Sequence, residues 1–189
     1  MTTAEEPIKA PMPENITVEQ QADGLRLSYR WFSGKFVFLA IFCCAWDGFL
    51  VFWYSIALTQ SGDLMMIIFP VMHVAVGVGL TYYTLAGFYN RTIVTVGRGR
   101  LSIQHRPIPW FGNRTLQAAE ISQLYTEQLT TRGKNGPRIS FQLSAVSQEN
   151  RKIRLLTGLD SPDSARFIER QVEDWLGIKD RRVEGELPE

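Results

Sequence analysis

The residues most able to do chemistry in this chain are Asp47 and His73, because each interrupts a long apolar run. An acid in the middle of a bilayer costs about 2.5–3.5 kcal/mol on insertion scales and normally faces a partner. Asp47 lies eleven residues before the end of its run and His73 nine after the start of the next, so an antiparallel hairpin places them at nearly one depth. A carboxylate–imidazole hydrogen bond would relieve both desolvation costs. Three roles fit such a pair: a polar clasp that fixes helix register, a contact to a partner membrane protein, or a relay for protons or a metal. The only cysteines, Cys43 and Cys44, lie nearby. Two ligands make a poor zinc site, and the adjacent thiols read as packing groups, so no metal or cofactor is expected.

A second candidate is basic. Between Phe88 and Ala119 stand Arg91, Arg98, Arg100, Arg106 and Arg114, with no acid among them. This is either a solvated strand face or a surface for anionic headgroups, which add about 1 kcal/mol per basic group held close. The chain-wide net charge of +1 and the lack of aromatic-interleaved basic motifs argue against nucleic acid as a partner. No nucleophile–base or paired-acid constellation has usable context, so the expectation is a protein that is not an enzyme.

The elements that must position these residues are two apolar runs, 36–58 and 64–85, joined by the short polar link 59–63. At about 1.5 Å per residue each run reaches roughly 33–35 Å, enough to cross a hydrocarbon core of about 30 Å. Arg26, Arg30 and Lys35 precede the first run, Arg91, Arg98, Arg100 and Arg106 follow the second, and the link has no Lys or Arg. The positive-inside rule then puts both termini in the cytoplasm. Residues 1–15 are acidic and proline-bearing and read as a disordered tail. They lack a basic start and an early apolar run, so the first span is expected to act as an uncleaved signal anchor.

Outside the runs the pattern is β-like. Residues 16–32 alternate around Asp23-Gly24 as a β-hairpin ahead of the membrane, with Tyr29, Trp31 and Phe32 at headgroup level. Residues 90–177 hold about six short strands. They close on an amphipathic helix that Ser161 caps, Pro162 and Asp163 begin, and Gly177 ends. Its apolar stripe is Ala165, Ile168, Val172, Trp175 and Leu176. Residues 178–189 read as a flexible tail.

The blocks Arg91–Val96, Arg100–Ile103, Glu120–Tyr125 and Ile153–Leu159, followed by that helix, resemble the bacterial PH-like domains that follow paired membrane helices. The resemblance covers about half the chain. It implies an α+β membrane protein: a two-helix transmembrane hairpin plus an antiparallel PH-like β-domain closed by a C-terminal amphipathic helix. It also implies an inner-membrane adaptor that binds a protein partner, a second copy of itself, or anionic lipid. The alternative is an accessory subunit of a transport or redox complex that uses Asp47 and His73. The first hairpin loop departs from the phosphoinositide-binding pattern, since Gly97-Arg98-Gly99 lacks a basic cluster. If residues 16–32 join the same sheet, the helices are an insertion into the domain rather than a prefix to it.

Overall fold

A computed structural model describes residues 13–59, 64–133, 136–159, 161–179, 181, 183 and 187. Most of the N-terminal tail, most of the 59–63 link and most of the C-terminal tail therefore lie outside the described residues. The chain divides into two units. One holds the strands and the C-terminal helix, in the segments up to Tyr29, Thr92–His105 and from Phe111 onward. The other is Arg30–Arg91 with Arg106–Trp110.

The β unit contains two antiparallel sheets. Strands β1 (Ile16–Gln21), β2 (Gly24–Arg30), β3 (Arg91–Gly97), β4 (Arg100–Arg106) and β5 (Arg114–Gln117) pair in that order. Strands β6 (Ile121–Gly133), β7 (Gly136–Ser147) and β8 (Lys152–Leu159) form the second sheet. β2 and β3 are neighbours although some sixty residues separate them in sequence, so the helical segment is inserted within one sheet. The turns of β1–β2 and β3–β4 abut closely. A Cβ on Gly97 would lie 2.5 Å from the Asp23 carbonyl oxygen, and one on Gly24 would lie 2.7 Å from that of Val96. Only glycine fits either position.

Period-2 alternation explains the first sheet: Leu25, Leu27 and Tyr29 on β2, Val94 and Val96 on β3, and Leu101 and Ile103 on β4 are buried. The second sheet is different, because Gln123–Glu127 of β6 and Phe141–Ala145 of β7 are buried on both faces. On one face Leu124, Leu143 and Ala145 meet helix α4 (Pro162–Leu176), whose Ala165, Ile168 and Val172 are buried. Ser161 Oγ accepts from the Asp163 N–H at 3.1 Å, and Gly177 ends the helix in the left-handed region. Trp175, expected in the apolar stripe, is 41% exposed, while Glu169 and Glu173 are buried in its place. The helix is rotated because Thr126 Oγ1 and Gln123 Nε2 on β6 donate to those two carboxylates, at 2.6 and 3.0 Å. In the tail, the Leu187 N–H donates to the Thr126 carbonyl at 2.8 Å, which holds that point of the chain against β6.

The second unit is a pair of apolar helices long enough to cross a membrane, Gly34–Thr59 and Leu64–Tyr89, each 26 residues. The first is the single helix α1 (Gly34–Thr59). The second breaks at Phe69-Pro70 into α2 (Leu64–Ile68) and α3 (Val71–Tyr89). Proline has no N–H, so the Met66 carbonyl loses its helical partner, and the turn also frees Ile67. Trp53 Nε1 donates to the Met66 oxygen and Tyr54 Oη to the Ile67 oxygen, both at 3.1 Å. Two aromatics of α1 therefore repair the break. At the other end of the pair, Asn90 clamps the loop Arg106–Trp110. Its Nδ2 donates to the Ile108 carbonyl at 2.9 Å and its Oδ1 accepts the Ile108 N–H at 2.8 Å.

Candidate functional site

α1 and α3 meet along a ladder of small and polar side chains. Cys43 Sγ lies 3.4 Å from Thr84 Oγ1, and about one turn along Thr81 Oγ1 donates to Asp47 Oδ2 at 2.8 Å. Gly77 lets the helices close: a Cβ there would stand 2.8 Å from Asp47 Oδ1 and 3.2 Å from the Trp46 ring. Gly87 does the same for Phe36, whose ring occupies the space a Cβ would need. Cys43 is buried and Cys44 exposed.

Asp47 and His73 do not bond each other. The Asp47 hydrogen bond goes to Thr81, while His73 lies against Trp46 (ring centroids 5.8 Å apart) and Phe69 (5.6 Å). His73 Nδ1 is buried, with no hydrogen-bond partner among the described residues. Counting residues from the link brings the two backbones nearly level, but helical side chains lean toward their own N-terminus. In an antiparallel pair that sends Asp47 toward the Gly34 end and His73 the opposite way.

Beside Asp47 an open groove of about 750 Å³ runs between α1 and α3, its surface mainly the apolar atoms of side chains such as Leu50, Val51, Leu58, Val74, Val78 and Leu85. Its other polar residues are already committed. Tyr54 donates to Ile67, Ser55 to the Phe52 carbonyl at 2.7 Å, Tyr82 to the Pro109 carbonyl, and Thr81 to Asp47. Asp47 is the one acid on the groove and, with a single donor bound, keeps the most spare acceptor capacity there.

The arginines separate into two groups. The bond between Thr92 Oγ1 and His105 Nδ1, 3.0 Å, marks the open end of the β3–β4 hairpin, and Arg91 and Arg106 flank that end. Arg98 and Arg100 sit at its turn, about 20 Å away at some 3.3 Å per strand residue. Arg98 is also occupied, because its guanidinium pairs with Asp23 in the β1–β2 turn (Nε–Oδ2 2.6 Å). All four are exposed. Arg91, Arg100 and Arg106 have no acidic partner among the described residues.

A polar cluster that the sequence does not reveal lies on β6–β8. Glu127, buried, accepts from Gln142 Nε2 (2.6 Å), Ser144 Oγ (2.9 Å) and Lys152 Nζ (2.6 Å). Burial pushes its carboxyl up, but the bonds from Lys152, Ser144 and Gln142 outweigh that and hold it below its ordinary 4.5. The bond to Glu127 likewise raises Lys152 above 10.5. Burial alone lowers His105 below 6.5. The one available signal was register: Glu127 faces Gln142 and Tyr125 faces Ser144 once the strands are paired. Among the described residues, no three His, Cys, Asp or Glu side chains converge as a metal set. No protein-family model matches the chain, and no curated protein matches it.

Proposed function

We propose that this chain is a non-enzymatic membrane-anchored adaptor. The helices Gly34–Thr59 and Leu64–Tyr89 cross a bacterial inner membrane as a hairpin with both termini cytoplasmic. A PH-like β unit then presents a binding surface for a protein partner or anionic lipid at the inner leaflet. One observation carries the anchor. A core helix of a soluble protein is mostly buried, whereas only 17% and 11% of the most apolar stretches of these two helices are buried. Phe38 (74% exposed), Val51 and Met72 (72% each) turn outward. Such a continuous apolar surface far exceeds what water-soluble monomers expose. A five-stranded and a three-stranded antiparallel sheet closed by α4 support the PH-like reading. Arg91 and Arg106, next to the helix end, are the pair suited to headgroups.

The accessory-subunit alternative needs Asp47 and His73 to act together on a proton or metal. Their divergence onto different faces of the helix pair weighs against it.

The adaptor reading is tested on the full chain in its native membrane. It should resist alkaline carbonate extraction. In a Cys43→Ala/Cys44→Ala background, Ser61→Cys should react with an impermeant thiol reagent on intact spheroplasts, and Ser147→Cys only after lysis. Release by carbonate overturns the anchor, and the reverse labelling overturns the orientation. Native mass spectrometry of the gently extracted assembly should then show a stoichiometric second protein or retained anionic lipid. A bare chain in repeated preparations would sink the adaptor role.

A further inference from the structure

We infer that the groove between α1 and α3 docks one transmembrane helix of another membrane protein, and that this helix carries a lysine or arginine that pairs with Asp47. The inference rests on the membrane reading above. The groove is long and narrow rather than round. Its wall on α1 runs from Asp47 to Leu58 and its wall on α3 from Val74 to Leu85, about 16 Å or three helical turns. Leu50, Val51, Leu58, Val74, Val78 and Leu85 give it an apolar surface against which another helix can pack.

The chemistry selects the occupant. A carboxylate can accept about four hydrogen bonds, and Asp47 receives one, from Thr81. Every other polar side chain along the groove is already donating elsewhere within the chain. An acyl chain lying in the groove would offer Asp47 nothing, and the acid would face hydrocarbon with one hydroxyl. A cationic side chain at the same depth supplies both charge and donors. Asp47 lies midway along Gly34–Thr59, so the cation belongs near the centre of the incoming helix.

A second copy cannot supply it. From Phe36 to Tyr89 the chain has no Lys or Arg, and two copies meeting at this groove would bring Asp47 against Asp47. His73, the remaining basic group, lies between Trp46 and Phe69 rather than on the groove.

The test uses the full chain in phosphatidylcholine vesicles with a synthetic Leu/Ala transmembrane helix that bears one central lysine, or leucine at that position. Association is read by energy transfer between labelled partners. The lysine helix should bind about tenfold more tightly than the leucine helix. Asp47→Asn should erase that preference. Val51→Trp fills the groove at an exposed position and leaves the carboxylate in place, and it should weaken lysine-helix binding too. Equal binding of both helices, or an unchanged preference in Asp47→Asn, overturns the inference. Transfer between two labelled copies of the chain that Val51→Trp abolishes would also overturn it, by making a second copy the occupant. Flotation after carbonate treatment separates the two readings. A chain that fails to float defeats the anchor itself, whereas one that floats without a lysine preference defeats only the docking site.

Discussion

Asp47 and Glu127 are both acids held at least partly away from solvent, and the chain treats them in opposite ways. Glu127 receives an amide, a hydroxyl and an ammonium from its own sheet. Asp47 receives a single hydroxyl and borders an open groove. A carboxylate left partly satisfied away from water is costly. One unit thus completes its acid internally, and the other leaves room for a donor from outside. The difference separates a polar group that builds a fold from one available for recognition.

Substitutions can break that contrast. Glu127→Ala strands the buried donors of Gln142 and Ser144 and should cost about 3 kcal/mol in denaturation of the purified chain; a loss under ~1 kcal/mol would show the cluster to be ornamental. Gly87→Ala drives a methyl into the Phe36 ring and should cost about 1–3 kcal/mol, read as a lower midpoint in detergent with the helix content retained. Lys152→Met removes one charged donor from the half-exposed rim of the cluster, a loss of about 1–2 kcal/mol. Asp47→Asn keeps the bond from Thr81 and should change stability by less than ~1 kcal/mol, while abolishing the preference for a lysine-bearing helix.

Acid titration sharpens the same comparison. The folded pKa of Glu127 lies below its ordinary 4.5, so its stabilisation is complete above that pH and is lost as pH falls through the depressed value. Glu127→Gln should flatten that acid limb. His105, lowered by burial from 6.5, also contributes fully above that value and loses its contribution as pH falls below it. Lys152 has the opposite sense, since its raised value means loss only as pH climbs past 10.5. An acid limb unmoved by Glu127→Gln would assign it to other groups.

Sequence made the long-period features legible. Two long apolar runs, the alternation on β2 to β4, and the Ser161–Pro162 start and Gly177 stop of α4 all arise from local chemistry. Features set by rotation about an element's axis were not legible. Trp175 left the buried stripe because Thr126 and Gln123 drew Glu169 and Glu173 inward. The Asp47–His73 bond failed because depth was counted and side-chain lean was not. Likewise β6 shows no alternation over Gln123–Glu127, where both its faces are buried. The arginines read as one patch in sequence, but the length of β3 divides them.

The insertion between β2 and β3 sets an order of events during synthesis. β1 and β2 emerge first and remain without their neighbour while everything from Trp31 to Asn90 is still being made. At about 5–20 residues per second that is on the order of 3–12 s. Throughout that time one edge of β2 lacks β3, the strand that will cover it. The sheet can close only after the helical hairpin has turned back, so a ribosome stalled within the second helix leaves a domain that cannot finish folding.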